Sequence, residues 1–301
     1  MVIRETFGDK IVNAINVVLL TIVLLIVAYP LYFVVIASFS DPLAVSLSKV
    51  YLWPIRPTLM GYSLVYAHKE VWLGYRNTIF YAVMHVIVVL SVTLPAAYAL
   101  SYRDLRFKGF FTVFFLVTMF FSGGLIPFYL LVTQTLRMGD TVWVLIIPGA
   151  ASMTNIILAR TFFVSSIPEE LREAAEIDGC SEFRLFFSII LPLSAAIIAV
   201  MSLWSFVGSW NSYFNAMMYL TDNAARLVPL QIVLRKILIQ NQIALEDISF
   251  NADQTNAAAL LLRVEQMKYA LIIVSSIPIL LIYPFVQKHF VKGVMIGSIK
   301  G

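Results

Sequence analysis

Several carboxylate side chains lie close together in residues 165–188, which we call the acidic loop. The loop contains Glu169, Glu170, Glu173, Glu176, Asp178 and Glu182, together with Arg172 and Arg184. Pro168 suits a first helical turn, and the glutamates that follow it complement the positive end of the helix dipole. Gly179 can adopt the left-handed conformation that ends a helix, and Ser181 can cap a second one. The pattern therefore predicts two short helices that form a rigid knob.

The first of these two helices has a surface that suits a partner protein. Ala174 and Ala175 have minimal side chains, so we expect this helix to lie deep in a cleft on the partner while its charges reach the rim. Pro192 then joins the knob to the next apolar segment. A push on the knob can tilt that segment as a lever.

Other familiar chemistry is missing from the sequence. No glycine-rich phosphate loop occurs, and His68, His85 and His289 lie far apart with no metalloprotease or serine-hydrolase motif around them. Cys180 is a single cysteine, so it can form neither an internal disulfide nor a thiolate metal cluster. We expect no catalytic residue, no metal site and no cofactor bound by this chain.

Two ionisable residues fall within apolar segments. His85 is a functional candidate by that position alone, but a neutral histidine hydrogen-bonded between helices is the simpler interpretation. Arg160 lies near the end of its segment, where snorkelling to the membrane interface explains it.

Composition determines the class of protein. The chain has 301 residues, of which 60% are hydrophobic and only 13% charged. A membrane-spanning helix needs about 20 apolar residues, and six segments qualify. These predicted spans lie near 11–39, 78–101, 110–131, 141–164, 189–220 and 269–286. The net charge of +4 is spread over loops, so it argues for membrane topology and against nucleic-acid binding.

The loops between the predicted spans suggest an orientation. The tight basic link over 102–109 favours the cytoplasmic side, and an even number of spans then places both termini in the cytoplasm. The acidic loop 165–188 and the tail 287–301 fall on the same side. The outer loop 221–268 contains a predicted short amphipathic helix, Leu227 to Ile239. Loops of this length beside a membrane bundle are usually functional or disordered.

At about 100° per residue, the fifth predicted span separates into two faces, of which one is polar. That face contains Trp204, Ser205, Gly208, Ser209, Asn211, Ser212, Asn215 and Tyr219. Polar groups facing hydrocarbon are costly, so the face should line a cavity or contact another helix. Amides can bond sugar hydroxyls, and Trp204 or Tyr219 can stack on a sugar ring, but packing of small residues between helices also explains the pattern.

The third predicted span contains a cluster that should interrupt it. Gly123, Gly124 and Pro127 are expected to break the helix near its middle. The break would place a kink or free carbonyl groups next to a transport pathway. Packing alone also accounts for the cluster.

The acidic loop resembles a known motif. Glu173, Ala174, Ala175, Gly179, Ile189, Leu191 and Pro192 reproduce the Glu-Ala-Ala loop of ABC importer permeases in both identity and spacing, with Asp178 directly before the glycine. The resemblance implies an all-α integral membrane protein with six transmembrane helices, the type I ABC importer permease fold and a cytoplasmic coupling helix. It implies that this loop docks on a cytoplasmic ATPase and transmits its closure to the transmembrane helices.

Further motifs resemble the carbohydrate branch of this family. Trp210-Asn211 and the tail from Phe290 to Gly301 look like the second permease of maltose-type importers. Phe121 to Pro127 is similar to a sub-branch that works with lipoprotein binding proteins and imports plant-polysaccharide oligosaccharides, for example from pectin or xylan. The resemblance implies that the tail reaches the ATPase dimer. The tail residues concerned are Lys292, Gly293, Gly297, Lys300 and Gly301.

The resemblance also implies an assembly in the bacterial cytoplasmic membrane. The expected partners are membrane lipid, a homologous second permease, two cytoplasmic ATPase subunits that bind ATP and magnesium, and an external sugar-binding protein, with the outer loop 221–268 as its contact. Import of a non-sugar solute is one alternative. An ion-gradient transporter is another, but its predicted spans would need charged couplers, and only His85 and Arg160 are present.

Overall fold

We describe a computed structural model that covers residues 6–239, 267–284 and 287. Within these residues every regular element is helical and no strand occurs. The longer helices are α1 (Phe7–Ser38), α4 (Lys69–Ser101), α5 (Lys108–Phe120), α8 (Met153–Ser166), α12 (Ala195–Trp210) and α15 (267–284). The shorter ones are α2 (Pro42–Ser46), α3 (Met60–Ala67), α6 (Leu125–Leu130), α7 (Trp143–Ile146), α9 (Glu169–Ile177), α10 (Glu182–Leu185), α11 (Leu191–Leu193), α13 (Phe214–Tyr219) and α14 (230–239).

The chain divides into two compact units, which we describe separately. The first comprises the described residues within 1–69 and 234–276. Helix α1 begins with a capping box, in which the Thr6 backbone N–H donates to Asp9 at 2.8 Å. The last turn of α1 buries Ile36 and Ala37 in a small core with Ala44 of α2. Most of α1 is exposed, as expected of a helix whose apolar surface meets lipid or another subunit.

The second unit comprises the described residues within 70–233 and 277–301. Its core joins the second half of α4 to α8 and α12, and apolar residues of the acidic loop from Ile167 to Phe186 pack into the same core. In α8 the buried residues recur every three or four positions, which places them on one face of the helix. These residues are Met153, Ile156, Ala159 and Phe163.

Among the described residues, three helices are long and apolar enough to cross a membrane: Phe7–Ser38, Lys69–Ser101 and Met267–Pro284. They correspond to the first, second and sixth predicted spans. Two bent pairs raise the total to 5 if each pair is one span. The count of six therefore stays a prediction.

The third and fifth predicted spans are bent. The third bends by 108° between Phe120 and Leu125, and Gly124 there has φ +86°, which only glycine adopts readily. This confirms the predicted break. The fifth bends by 78° at Ser194.

The fourth segment, 141–164, is not one continuous helix. Helix α7 ends at Ile146, Gly149 has φ +79°, and α8 starts only at Met153. Pro148 lies in this gap and has no backbone N–H to donate. Hydropathy alone could not reveal the interruption, because the gap is itself apolar.

Candidate functional site

The acidic loop folds into the two predicted helices. Helix α9 follows Pro168, which has extended geometry and precedes the first turn instead of lying within it. Gly179 has φ +72° at the C-terminal end. The amide of Gly179 donates to the carbonyl of Glu176 at 3.0 Å, and the amide of Cys180 donates to that of Ala175 at 2.9 Å. These two bonds make a Schellman motif, so the predicted left-handed helix end is confirmed.

The second helix, α10, also begins as predicted. The Ser181 hydroxyl accepts a hydrogen bond from the Arg184 amide at 3.4 Å, which caps the helix. A π-helical turn, Phe186–Ile190, then continues the chain into α11, which contains Pro192. Ile189 and Leu191 are partly buried against the core, whereas Pro192 is exposed. The bend between α11 and α12 therefore lies at Ser194, two residues after Pro192.

The two alanines of α9 face in different directions. Ala174 is exposed, together with Glu173, Asp178 and Gly179. Ala175 is only 7% exposed and packs into the core of its own chain. The expectation that both alanines enter a partner's cleft is therefore wrong for Ala175. Its small side chain instead lets α9 lie close to the membrane helices.

Two exposed apolar side chains on the knob were missed by the sequence analysis. Ile177 is 86% exposed and Phe183 is 79% exposed. In a helix, Leu171 and Ala175 are four residues apart and share a face, whereas Ile177 lies on the opposite side. The position of Ile177 opposite the face of Leu171 and Ala175 was the signal in the sequence that could have identified it as exposed. Large apolar groups on a surface of carboxylates indicate a protein contact.

Polar side chains join the knob to the end of α4. The Arg172 guanidinium donates to the Ser101 hydroxyl at 2.8 Å and lies 4.6 Å from the ring centre of Tyr102. The Tyr102 hydroxyl donates to the Glu182 carboxylate at 2.7 Å, and Tyr98 donates to the same oxygen at 3.3 Å. We call these five residues the Arg172 cluster. The contacts cross 71 to 84 residues of sequence, so spacing could not predict them.

Tyr102 is held as a neutral donor in this cluster. Burial raises the pKa of the Tyr102 hydroxyl well above its ordinary value, and the hydrogen bond that it donates to Glu182 raises it further. The proton therefore stays on Tyr102 at any physiological pH.

Two further arginines belong to the same region. Arg103 forms an ion pair with Glu169 at 3.0 Å, on the surface. The Arg160 Nε donates to the carbonyl of Leu100 at 2.9 Å, in the last turn of α4. Arg160 therefore satisfies one of the carbonyls left free where a helix ends, and its snorkelling to the membrane interface stays a prediction.

The predicted sugar-pathway face of the fifth span is only partly preserved. Trp204, Gly208 and Asn211 are exposed, and so are Gly123 and Gly124. The Asn211 side chain donates to the Val207 carbonyl of its own helix at 3.0 Å. Ser212 and Asn215 are half-buried.

Tyr219 is not available to a sugar in this conformation. It is only 3% exposed and stacks on Tyr129 with 5.7 Å between ring centres. The prediction of one continuous polar face along the fifth span is wrong, because α12 ends at Trp210 and the next helix, α13, begins only at Phe214. Residues after the break no longer follow the period of those before it.

The structure agrees with the simpler interpretation of His85, a histidine that is hydrogen-bonded to a neighbouring helix. Its Nδ1 lies 2.7 Å from the carbonyl oxygen of Ile146, at the end of α7. Because a carbonyl can only accept, Nδ1 must carry the proton. The histidine therefore satisfies an acceptor that is freed by the break before α8.

The start of the outer loop is fixed to α4. The Asn77 amide donates to the carbonyls of Arg226 and Val228 at 2.8 and 3.1 Å, and the Tyr81 hydroxyl donates to that of Leu227 at 2.9 Å. The Thr78 hydroxyl accepts from the Leu230 amide at 2.8 Å. The predicted helix therefore starts at 230 and not at Leu227.

A second polar contact joins the residue Asp140, before α7, to Thr221, after α13. The two Asp140 carboxylate oxygens accept from the backbone and the hydroxyl of Thr221 at 2.6 and 2.7 Å. These bonds lower the pKa of Asp140. The predicted tail residues Lys292, Gly293, Gly297, Lys300 and Gly301, and residues 240–266 of the outer loop, lie outside the described residues.

Comparison with known proteins identifies the family. Residues 71–296 match the family described as the binding-protein-dependent transport system inner membrane component. The chain belongs to this family. It is a permease subunit of an ABC transporter and not an enzyme.

Individual relatives extend the match over almost the whole chain. Protein LplC of Bacillus subtilis is 36% identical over 99% of this chain and 98% of its own length. The polygalacturonan/rhamnogalacturonan transport system permease protein YtcP of the same organism is 37% identical over 92% of this chain and 94% of its own.

A solved structure shares the fold. One chain in the crystal structure of a bacterial ABC transporter involved in the import of the acidic polysaccharide alginate superposes with a TM-score of 0.83 and 33% sequence identity. The match covers 95% of this chain and 99% of that one. The type I ABC permease fold implied by the Glu-Ala-Ala loop is therefore correct, and so is its place in a membrane.

Proposed function

We propose that this chain is the permease subunit of an ATP-driven importer that moves oligosaccharides derived from plant polysaccharides such as pectin or xylan. The observation that carries the cargo class is the similarity to permeases of polysaccharide transport systems at 33–37% identity over more than nine-tenths of the chain. Oligosaccharides also suit the exposed Trp204 and Asn211, because an indole can stack on a sugar ring and an amide can bond its hydroxyls.

The assembly we propose contains a homologous second permease, two cytoplasmic ATPase subunits and an external binding protein anchored as a lipoprotein. ATP and magnesium bind on the ATPase subunits. Both termini of this chain lie in the cytoplasm, and the tail 287–301 reaches the ATPase dimer. The knob formed by α9 and α10 docks on the ATPase through the face that carries Glu173, Ala174 and Asp178.

The cargo is tested by reconstituting the complex in vesicles and measuring ATP hydrolysis with the binding protein and a panel of oligosaccharides. Galacturonate oligomers and xylo-oligomers should stimulate hydrolysis and accumulate inside, whereas amino acids and peptides should not. Stimulation by a non-sugar solute alone would instead support the alternative of another cargo.

The docking face is tested with Ile177→Asp, because a charge on an exposed apolar contact must be desolvated when the partner binds. The variant should reduce the amount of ATPase that copurifies with the permease. Leu52→Asp is the matched control, since Leu52 is 60% exposed and lies in the loop between α2 and α3. Equal copurification of ATPase with both variants would contradict the proposed docking face.

A further inference from the structure

We infer that the Arg172 cluster fixes the coupling helix α9 to the inner end of α4, so that ATPase movement reaches the outer loop along α4 as well as the fifth span through Pro192. This inference rests on the proposed function. It assigns Arg172 a positioning role, and it makes α4 a second path of transmission.

The inner end of this path depends on Arg172. Its guanidinium donates to Ser101 at 2.8 Å and lies between 4.6 and 5.2 Å from the ring centres of Tyr102 and Tyr98. A planar guanidinium can stack on aromatic rings and donate a directed hydrogen bond at the same time, which an ammonium group does less well. The side chain therefore holds α9 against three residues at the end of α4.

Glu182 closes the cluster from the second helix of the knob. Its carboxylate accepts from both tyrosine hydroxyls, at 2.7 and 3.3 Å. Helices α9 and α10 thus both contact Tyr98 and Tyr102, α9 through the Arg172 guanidinium over the rings and α10 through the Glu182 carboxylate. If the knob moved without α4, two charge-assisted hydrogen bonds would break, Arg172 to Ser101 and Tyr102 to Glu182.

The outer end of the path lies on the same helix. From Thr78 to Ser101, α4 is continuous and spans about 35 Å at 1.5 Å per residue. Near its outer end Asn77, Thr78 and Tyr81 hold the backbone of residues 226–230 by four hydrogen bonds. This segment begins the loop that we assign to the binding protein. One helix therefore contacts both the knob that we assign to the ATPase and the loop that we assign to the binding protein.

The first test uses Arg172→Gln in the full complex of permeases, ATPases and binding protein. ATPase should still copurify, because the docking face is untouched. Stimulation of hydrolysis by the loaded binding protein should fall about ten-fold, the effect expected when a charge-assisted contact is lost. Arg172→Lys should recover part of the stimulation, since lysine keeps the charge and a donor.

Two variants make this test specific. Tyr102→Phe removes one hydroxyl from the cluster and keeps the ring, so it should reduce stimulation without loss of assembly. Arg106→Gln is the matched control, because Arg106 is exposed in the same link, lies over the ring of Phe107 and forms no side-chain hydrogen bond or ion pair within the described residues. Wild-type stimulation in Arg172→Gln would overturn the inference, as would loss of ATPase from both Arg172 variants.

A second measurement does not depend on the cargo. Spin labels at Glu176→Cys and Asp104→Cys, in a Cys180→Ser background, report the distance between α9 and the link after α4. We expect a narrow distribution that keeps its mean when ATP is added and broadens in Arg172→Gln. A distance that changes with ATP in the otherwise unmodified complex overturns the inference even if oligosaccharide import is established. Absence of any stimulated import in that complex, with a fixed distance, would instead refute the proposed function.

Discussion

Replacing Gly179 isolates the contribution of one backbone angle to the knob. Gly179 has φ +72°, and a Cβ at this position would meet no atom within 4 Å. The cost of Gly179→Ala is therefore conformational, about 1–2 kcal/mol for a left-handed L-residue. Gly179→Asn should cost less, because asparagine tolerates this region better. The helix end, and not the global fold, should bear the cost.

Hydrogen exchange measures this effect directly. The Gly179 and Cys180 amides donate the two bonds of the Schellman motif, so both exchange only when the helix end opens. A cost of about 1–2 kcal/mol makes opening roughly 5–30 times more frequent. The alanine variant should therefore exchange these amides faster by that factor, and the asparagine variant by less.

The control for Gly179 is Gly109→Ala, which adds a Cβ with no neighbour within 4 Å and requires no left-handed backbone. It should leave exchange at the end of α9 unchanged. The reasoning is refuted if Gly179→Ala exchanges these two amides at the wild-type rate, or if alanine and asparagine have equal effects. If the docking proposal is correct, stimulated ATP hydrolysis should decline in the same order.

Three further predictions concern packing and polar contacts. Gly74→Ala places a Cβ 3.0 Å from the backbone of α14. The overpacking should cost about 1–3 kcal/mol, and the better helix propensity of alanine should recover about 1 kcal/mol of it. The thermal midpoint of unfolding should therefore fall, whereas the control Gly109→Ala should not lower it. His85→Phe leaves a carbonyl unpaired and should cost about 1–3 kcal/mol in thermal unfolding, whereas His85→Gln keeps a donor and should cost less. Because its folded-state pKa is lowered, Asp140 should stabilise the Thr221 contact at neutral pH and lose this effect as the pH falls through that pKa. The difference in thermal midpoint between wild type and Asp140→Asn should therefore disappear in acid.

Local patterns in the sequence were sufficient for the class of protein and for the knob. Long apolar segments have few alternatives to a membrane helix, since backbone polar groups in lipid must be bonded within the helix. Pro168, Gly179 and Ser181 act on the backbone beside them, so their effect on the ends of α9 and α10 could be predicted. The break at Gly124 was predictable for the same reason.

Tertiary structure decided which side chains face the chain's own core and which remain available. A helical period shows that Ala174 and Ala175 point in different directions, but only packing shows that Ala175 meets the core while Ile177 stays exposed. The break after Trp210 ended the period on which the predicted sugar face depended, and Tyr219 became a packing residue. The Arg172 cluster joins residues more than 70 positions apart, and such contacts exist only once α4 and the acidic loop have come together.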